Sequence, residues 1–292
     1  MRSNLFLFMG ILALAGGCGD DDGGLAMSAD AGIDASAMPP ADGGEPEADA
    51  GETAPDSGSD AGLAPACDPH DVPCQEASFE NLGLLETPSG DVITEEGATA
   101  GEFLTHVDAT GAPATGTAPT TAYVYARFTD EGLEQVAIDD DAAFTSTEWD
   151  IALRRYIIRL NSGVSGPSCV RGARLPDGDD GEPPAFEDVT TLPEGLALEE
   201  ESYFEGDACT FVDDGSGLPG APASILASYW EYAGCLAMTG AVFVIELRDG
   251  RHVKLQVASY YPPDTQAQCD TEGSTPIPSG AANFRLRWAF LD

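Results

Sequence analysis

Basic residues are scarce in this sequence of 292 residues. It has 12 Lys and Arg against 51 Asp and Glu, which gives a formal net charge of −39 at pH 7. Such a chain repels the phosphates of nucleic acids and anionic lipid head groups, because binding to either depends on Lys and Arg. We therefore expect no nucleic-acid partner and favour partners that are neutral, cationic or metal-bearing.

Long apolar runs are missing after the N-terminus, so the sequence predicts no membrane span there. The start differs: Arg2 precedes an apolar core over residues 5–14, and three small residues lead to Cys18. This pattern is typical of a signal peptide over residues 1–17, too short to span a bilayer. We expect lipid attachment at Cys18, which anchors the chain to the outer membrane at the cell surface. The alternative is an ordinary signal peptide followed by an incidental cysteine.

Aromatic residues, Lys and Arg are absent from residues 19–75, which consist mostly of Ala, Gly, Asp, Ser, Pro and Glu. This composition buries too little apolar surface to offset the entropy of ordering, so we expect a disordered acidic linker over residues 18–75. Its mean reach is on the order of 40 Å before charge repulsion extends it. We interpret it as a spacer that carries a domain over residues 76–292. A binding role for the acidic run is the alternative.

Cysteines number seven, and lipid attachment at Cys18 leaves six. An even number in an exported chain favours disulfides over free thiols. We expect neighbours in sequence to pair, although sequence alone leaves other connectivities open. A metal site is the alternative, but no pair has the C-x-x-C spacing of zinc sites. The expected pairs are Cys67–Cys74, Cys169–Cys209 and Cys235–Cys269.

Apolar and polar residues alternate over much of residues 76–292, which is the period of strands. The segment 283–290 and the segment 251–257 both alternate, and the second places His252 and Lys254 on a face expected to meet solvent. Gly and Pro predict loops around 176–184, 213–222 and 262–280. The predicted class is all-β, a single multi-stranded domain of the sandwich or partly open barrel type.

The segment 149–160 is ambiguous, because its apolar residues fit one face of a helix as well as a strand. Its β-branched and aromatic residues favour a strand.

Three segments together resemble a known family. They are His106-Val107-Asp108-Ala109 with 123–128, the run STEWDIALRRYIIRLNSGVSG at 146–166, and 230–261 followed by FRLRWAF. They are similar to the HmuY family of surface haem-binding lipoproteins. The resemblance implies an all-β fold, attachment through an N-terminal lipid, capture of haem from haemoproteins, and no enzyme activity.

The run 146–166 is the most specific part of this resemblance, and we expect it to specify the fold rather than a ligand site. Trp149 is a large apolar anchor, and Asp150 can pair with Arg154 or Arg155 or cap a turn. Three further residues suit a turn with positive φ. These turn residues are Asn161, Gly163 and Gly166.

The resemblance implies that two His hold the haem iron, one in the stretch after 166 and one shortly after the Trp-Glu-Tyr strand. Here residues 167–228 contain neither His nor Met, and Ala233, Gly234 and Cys235 stand at the second place. Met238 is the nearest candidate for an iron ligand, with a role in core packing as the alternative. The His residues, His70, His106 and His252, are not spaced for a shared metal.

Other chemistry leaves weaker signals. The acidic loop at 177–182 is a candidate calcium site, but it lacks the EF-hand register, and a solvated loop is favoured. Its candidate ligands are Asp177, Asp179, Asp180 and Glu182. No hydrolase, P-loop or dinucleotide motif is present. Two functions therefore stand: haem capture, or a structural or partner-binding lipoprotein that has lost haem.

Overall fold

Strands form most of the chain that the structure, a computed structural model, describes, namely residues 67–85, 90–110 and 122–292. These residues lie in one compact unit. Within them the helices are α1 (Gln75–Leu82) and α2 (Pro263–Glu272), with single 3-10 turns at Ala142–Phe144, Phe186–Asp188 and Ala227–Tyr229. The strands are β1 (Asp91–Glu96), β2 (Glu102–Asp108), β3 (Val124–Thr129), β4 (Gly132–Val136), β5 (Ile151–Arg154), β6 (Ile157–Leu160), β7 (Arg171–Arg174), β8 (Phe204–Glu205), β9 (Thr210–Phe211), β10 (Trp230–Tyr232), β11 (Leu236–Met238), β12 (Val242–Glu246), β13 (His252–Ser259) and β14 (Asn283–Phe290).

Two antiparallel sheets enclose the core. One has the order β1-β2-β14-β13-β12-β7 and the other has the order β4-β3-β5-β6, with β8-β9 and β10-β11 as separate hairpins. The edges of the large sheets approach each other where Thr94 Oγ1 of β1 accepts the N–H of Leu133 of β4 at 3.1 Å. Trp149 and Trp288 are fully buried between the sheets. This arrangement confirms the predicted all-β fold.

The segments with the strictest alternation of apolar and polar residues form strands with one face buried in the main core. β14 occupies the predicted segment and buries Phe284, Leu286 and Trp288 on one face, while Arg285 and Arg287 lie on the other. In β13, Val253 and Leu255 are fully buried. Half-buried strands therefore reveal themselves through a period of two.

The segment 149–160 is β, as predicted, but it forms two strands rather than one. β5 and β6 pair as a tight hairpin that turns at Arg155, whose φ is +55°. All four residues of each strand are buried. Because neither strand has a solvent face, the sequence carries no polar alternation that marks the turn.

The outer face of the six-stranded sheet is covered around Lys254, which corrects the prediction that this residue meets solvent. Lys254 is buried, and its Nζ donates to the carbonyl of Phe186 at 2.8 Å and lies 4.2 Å from the centre of that ring. A second apolar cluster forms around this contact. Its buried members are Leu175, Phe186, Val189, Val242, Val244 and Ala289.

The segment 263–272 also differs from the sequence prediction, because it forms α2 instead of a loop. Pro263 occupies the first turn, where a missing N–H costs nothing, and Gly273 ends the helix at φ +65°. The helix has too few apolar residues to show a helical period, so only these end signals mark it.

The disulfides join Cys67 to Cys169, Cys74 to Cys209, and Cys235 to Cys269. The neighbour pairing expected for the first four cysteines is therefore wrong, whereas the third pair is as expected. Residues 67–74 lie against strands and loops 102 and 135 residues away in sequence. The disulfides thus tie Cys67 and Cys74 to later parts of the β fold.

Candidate functional site

Most residues of the run 146–166 are buried, and several of its side chains hydrogen-bond to the backbone of neighbouring segments. The indole N–H of Trp149 donates to the carbonyl of Ala143 at 3.1 Å. The side chain of Asn161 donates to the carbonyls of Ser146 and Trp149, and it accepts the N–H of Ser168. These contacts lie in the core, which agrees with a structural role for the run.

Asp150 does not pair with Arg154 or Arg155, which corrects that expectation. Its carboxylate accepts the N–H of Phe128 at 2.9 Å, and burial raises its pKa to about 6. Arg154 instead lies 3.5 Å from Asp140, with both side chains almost fully buried. Asp140 thereby balances a guanidinium group that the core could not otherwise hold.

Glu201 joins two loops to β6. Its carboxylate accepts the N–H of Leu160 at 2.9 Å and the N–H of Ile225 at 3.1 Å. Burial raises the pKa of this carboxyl to about 7. The folded state therefore favours the protonated form of Glu201 at mildly acidic pH.

We expect the free energy of unfolding to rise as the pH falls from about 7 to 4.5, the ordinary pKa of a glutamate. A carboxyl whose pKa is raised by folding binds more protons in the folded state, so its contribution is complete below the unfolded pKa and is lost as the pH rises through the folded pKa. Glu201→Gln should flatten this slope in urea unfolding, whereas Glu200→Gln, which removes an exposed carboxylate, should not. Equal slopes in both variants would contradict this role of Glu201.

A cleft of about 610 Å³ opens beside the β10–β11 hairpin. This volume lies within the range of small-molecule sites, roughly 300–1,000 Å³. Six separate segments form its walls: the residues after β2, the β5–β6 turn, the loop between β9 and β10, the β10–β11 turn, the end of β13 and the loop that precedes β14. The lining residues are Thr110, Arg155, Tyr156, Leu218, Tyr232, Gly234, Cys235, Leu236, Tyr260, Tyr261 and 275–282.

Gln266 of α2 fixes two of these walls. Its side-chain carbonyl accepts the N–H groups of Tyr260 and Tyr261, and its amide donates to the carbonyl of Leu236 at 2.9 Å. The hydroxyl of Tyr261 in turn accepts the N–H of Leu236 at 3.2 Å. The end of β13 and the β10–β11 hairpin are therefore held in a preformed arrangement.

The β10–β11 turn is further tied to α2 by the Cys235–Cys269 disulfide. Gly234 has φ +91°, and a Cβ at this position would lie 2.5 Å from the carbonyl oxygen of Gly273. Only glycine allows the turn to approach the helix this closely.

The cleft offers aromatic and apolar surface. Tyr232 is 56% exposed and Ile277 is 99% exposed, which is unusual for apolar groups of this size that lie together. The rings of Tyr260 and Tyr261 meet edge to face at 4.8 Å. Burial raises the pKa of Tyr260 and also that of Tyr261 above the ordinary value of a phenol. These buried phenols therefore stay neutral at physiological pH.

The predicted iron ligand Met238 does not line this cleft. It lies at the end of β11, half-buried against the main core, and its N–H donates to Asp270 at 3.0 Å. The lining contains no His or Met among the residues that the structure describes. The packing alternative for Met238 therefore fits its position better than iron ligation.

The three His lie apart from one another and from the cleft. His70 contacts the carbonyl of Gly163 at 3.2 Å, and His106 contacts the side-chain oxygen of Asn283 at 3.2 Å. His252 lies 3.5 Å from Glu246.

The candidate calcium loop does not gather its carboxylates. Asp177 is paired with Arg174 at 2.6 Å, and Asp180 accepts the N–H of Glu182. Nowhere in residues 67–85, 90–110 and 122–292 do three His, Cys, Asp or Glu side chains form a group that could hold a metal ion. Asp179 and the other predicted calcium ligands are thus not brought together.

Cys18 and the predicted signal peptide lie outside the described residues. Within the described part of the chain, no helix is long and apolar enough to cross a membrane.

Arg155 and Ile277 are cleft residues that the sequence analysis missed as site residues. Arg155 stood out only as a partner for Asp150, and Ile277 lies in a loop whose local sequence, Pro276-Ile277-Pro278, gives no ligand signal. The one sequence feature that favours exposure of Ile277 is its place between two prolines, which hold the backbone extended.

A protein-family model matches the chain in sequence. The model of the HmuY protein family matches residues 119–272, more than half of the chain. No curated protein matches the chain.

Several solved structures match this chain at low sequence identity and low TM-score. A protein of Bacteroides fragilis described as a lipoprotein is 14% identical over 67% of this chain and 92% of its own, with a TM-score of 0.40. A protein of Bacteroides vulgatus described as HmuY-like and haem-binding is 16% identical over 70% and 96%, with a TM-score of 0.39. An apo HmuY analogue of Tannerella forsythia is 14% identical over 72% and 98%, with a TM-score of 0.33. The family assignment rests on the sequence match alone.

Proposed function

Because this chain belongs to the HmuY family, whose model matches residues 119–272, we propose that it binds haem or a related planar ligand for haem or iron acquisition. The observation that carries the proposal is the aromatic cleft beside β10–β11. It lies where the family resemblance places an iron ligand, just after the Trp-Glu-Tyr strand.

The cleft residues fit a porphyrin ring and its acid groups. The rings of Tyr156, Tyr232 and Tyr261 and the side chain of Ile277 offer apolar surface to a flat ligand. Arg155 offers a guanidinium group to a carboxylate. Haem bound here would bring its redox-active iron, and the residues of the chain would hold the ring and its acid groups.

The donors for iron in this cleft are phenols. Tyr is an axial ligand of haem iron in some other proteins, but His and Met are more usual ligands. Tyr232 is the most accessible of the lining phenols, whereas Tyr260 and Tyr261 are largely buried. Iron ligation is therefore a minor part of the proposed binding, and ring contact is the major part.

The proposed setting is a lipid-anchored protein at the cell surface. Its layout is a signal peptide over residues 1–17, lipid on Cys18, an acidic linker, and a β domain that begins by Cys67 rather than at residue 76. The Cys67–Cys169 disulfide supports the earlier start. We propose no enzyme activity and no membrane contact beyond the lipid.

Titration of the full chain with haemin is the test. We expect a saturable one-to-one shift of the Soret band, unchanged in Met238→Ala because that side chain lies off the cleft, and weakened in Tyr232→Ala. Loss of the shift in Met238→Ala alone would move the site to β11. No shift beyond that given by a non-specific albumin control would contradict haem binding.

A structural or partner-binding role without haem is the second candidate. The lack of His and Met in the described lining of the cleft favours it. In that case the cleft would bind another apolar group, and the haemin titration would fail in every variant.

A further inference from the structure

The cleft differs in charge from the rest of the chain. Among its described lining residues none is Asp or Glu, and Arg155 is the one cation, although the sequence has 51 acidic residues. A protein of this charge repels anions in general. An acid-free wall around a single guanidinium group therefore marks the place where an anionic group can approach.

Arg155 has no counterion, unlike most arginines of the chain. Arg127, Arg171, Arg251 and Arg287, for example, each form an ion pair with a carboxylate at 2.5–2.8 Å. Arg155 forms no ion pair within the described residues, and its Nη2 is buried without a hydrogen-bond partner. A buried donor without a partner is costly, so this guanidinium is prepared for an acceptor from outside.

The local structure fixes the position of this group. Arg155 sits at the tip of the β5–β6 hairpin with φ +55°, and its guanidinium lies 5.0 Å from the centre of the Tyr156 ring. Stacking on an aromatic face does not use the N–H donors at the edge of the guanidinium, so these donors keep their capacity to bind a carboxylate.

The other lining residues of the cleft offer a surface for a flat ring but no usual ligand for iron. Imidazole and thioether groups are missing from the described lining, and the phenols of Tyr260 and Tyr261 are kept neutral by burial. The ring of a flat ligand therefore meets apolar and aromatic surface, and its strongest polar contact is with Arg155.

We propose that this cleft selects tetrapyrroles by their ring and carboxylates, through Arg155, and binds them whether or not they carry a metal. This inference rests on the proposed function, since it assigns the ligand class of the same cleft. Such binding differs from that of a receptor that coordinates the haem iron, because here the metal-free ring should bind about as tightly as haem.

The test uses quenching of intrinsic fluorescence in the full chain, titrated with haemin, with metal-free protoporphyrin and with its dimethyl ester. We expect haemin and protoporphyrin to bind within about threefold of each other, and the ester to bind about 10- to 100-fold more weakly, the range of a lost charged hydrogen bond. Arg155→Asn should weaken the binding of haemin and of protoporphyrin to the level of the ester. Asn is the chosen replacement because it accepts positive φ and keeps the turn. Arg155→Gly is the second variant, since glycine relaxes the same turn.

Arg285→Gln is the matched control, because the side chain of Arg285 also forms no ion pair or hydrogen bond with the described residues but does not line the cleft. It should bind all three probes like the parent. Haemin binding without protoporphyrin binding would overturn the inference and leave the proposed function intact. Binding of neither would overturn both, and equal binding of the ester or of the Arg155 variants would overturn the role of Arg155.

Discussion

Asp140→Ala lowers the free energy of unfolding by about 3–5 kcal/mol, the range for removing one partner of a buried ion pair. The carboxylate is fully buried and lies 3.5 Å from Arg154. It also accepts the N–H groups of Leu85 and Tyr123, at 2.6 and 2.9 Å, and the hydroxyl of Tyr125 at 2.8 Å. The variant leaves these donors without their acceptor and removes the counter-charge of the guanidinium, which keeps only the carbonyls of Leu82 and Gly83.

Urea unfolding followed by circular dichroism measures this loss. Asp141→Ala is the matched control, because Asp141 is exposed and makes no capping hydrogen bond. We expect the control to change the free energy of unfolding by less than about 0.5 kcal/mol. A loss below about 1 kcal/mol for Asp140→Ala would show that the cluster around Arg154 does not depend on this carboxylate.

Gly163→Ala destabilises the fold by more than about 3 kcal/mol, through a contact that no side-chain rotation relieves. Gly163 has φ +53°, and a Cβ there would lie 2.1 Å from the carbonyl oxygen of Glu201. The backbone of the loop that holds Glu201 would have to move away from β6.

Gly181→Ala separates the two causes of this effect. Gly181 has φ +80°, but a Cβ there meets nothing within 4 Å. The Gly181→Ala variant should therefore be destabilised only by the cost of the left-handed conformation, about 1–2 kcal/mol. Equal losses in the two variants would mean that positive φ, rather than the approach of the Glu201 loop, requires glycine at position 163.

Sequence predicts those parts of this fold whose reason is local. β13 and β14 alternate because one face of each strand is buried in the main core, so their bounds follow from a period of two. The turn between β5 and β6 has no such signal, since all eight strand residues are buried. Lys254 seemed solvent-facing because the segment that covers it, around Phe186, lies 68 residues away.

Disulfide pairing is a tertiary property. The bonds of Cys67 and Cys74 depend on where the first described segment packs, and nothing in the spacing of cysteines encodes that. Cys235 and Cys269 pair as expected because the β10–β11 hairpin and α2 are neighbours in sequence as well as in space.

The candidate site is even harder to predict from sequence than the disulfides are. Six segments, from the residues after β2 to the loop before β14, build the cleft, and no one of them carries a ligand pattern. Met238 was a reasonable candidate because it lies near the expected ligand position in sequence. Its strand, however, places it half-buried against the core, while Tyr232 and Gly234 at the other end of the same hairpin line the cleft.

Binding of a tetrapyrrole in this cleft is tested most directly by a crystal structure of the full chain with haemin. We expect the ring to lie against Tyr232, Tyr261 and Ile277, with a carboxylate within hydrogen-bond distance of Arg155. A ring bound beside Met238, or bound elsewhere with Arg155 unchanged, would contradict the assignment of the cleft as the haem site.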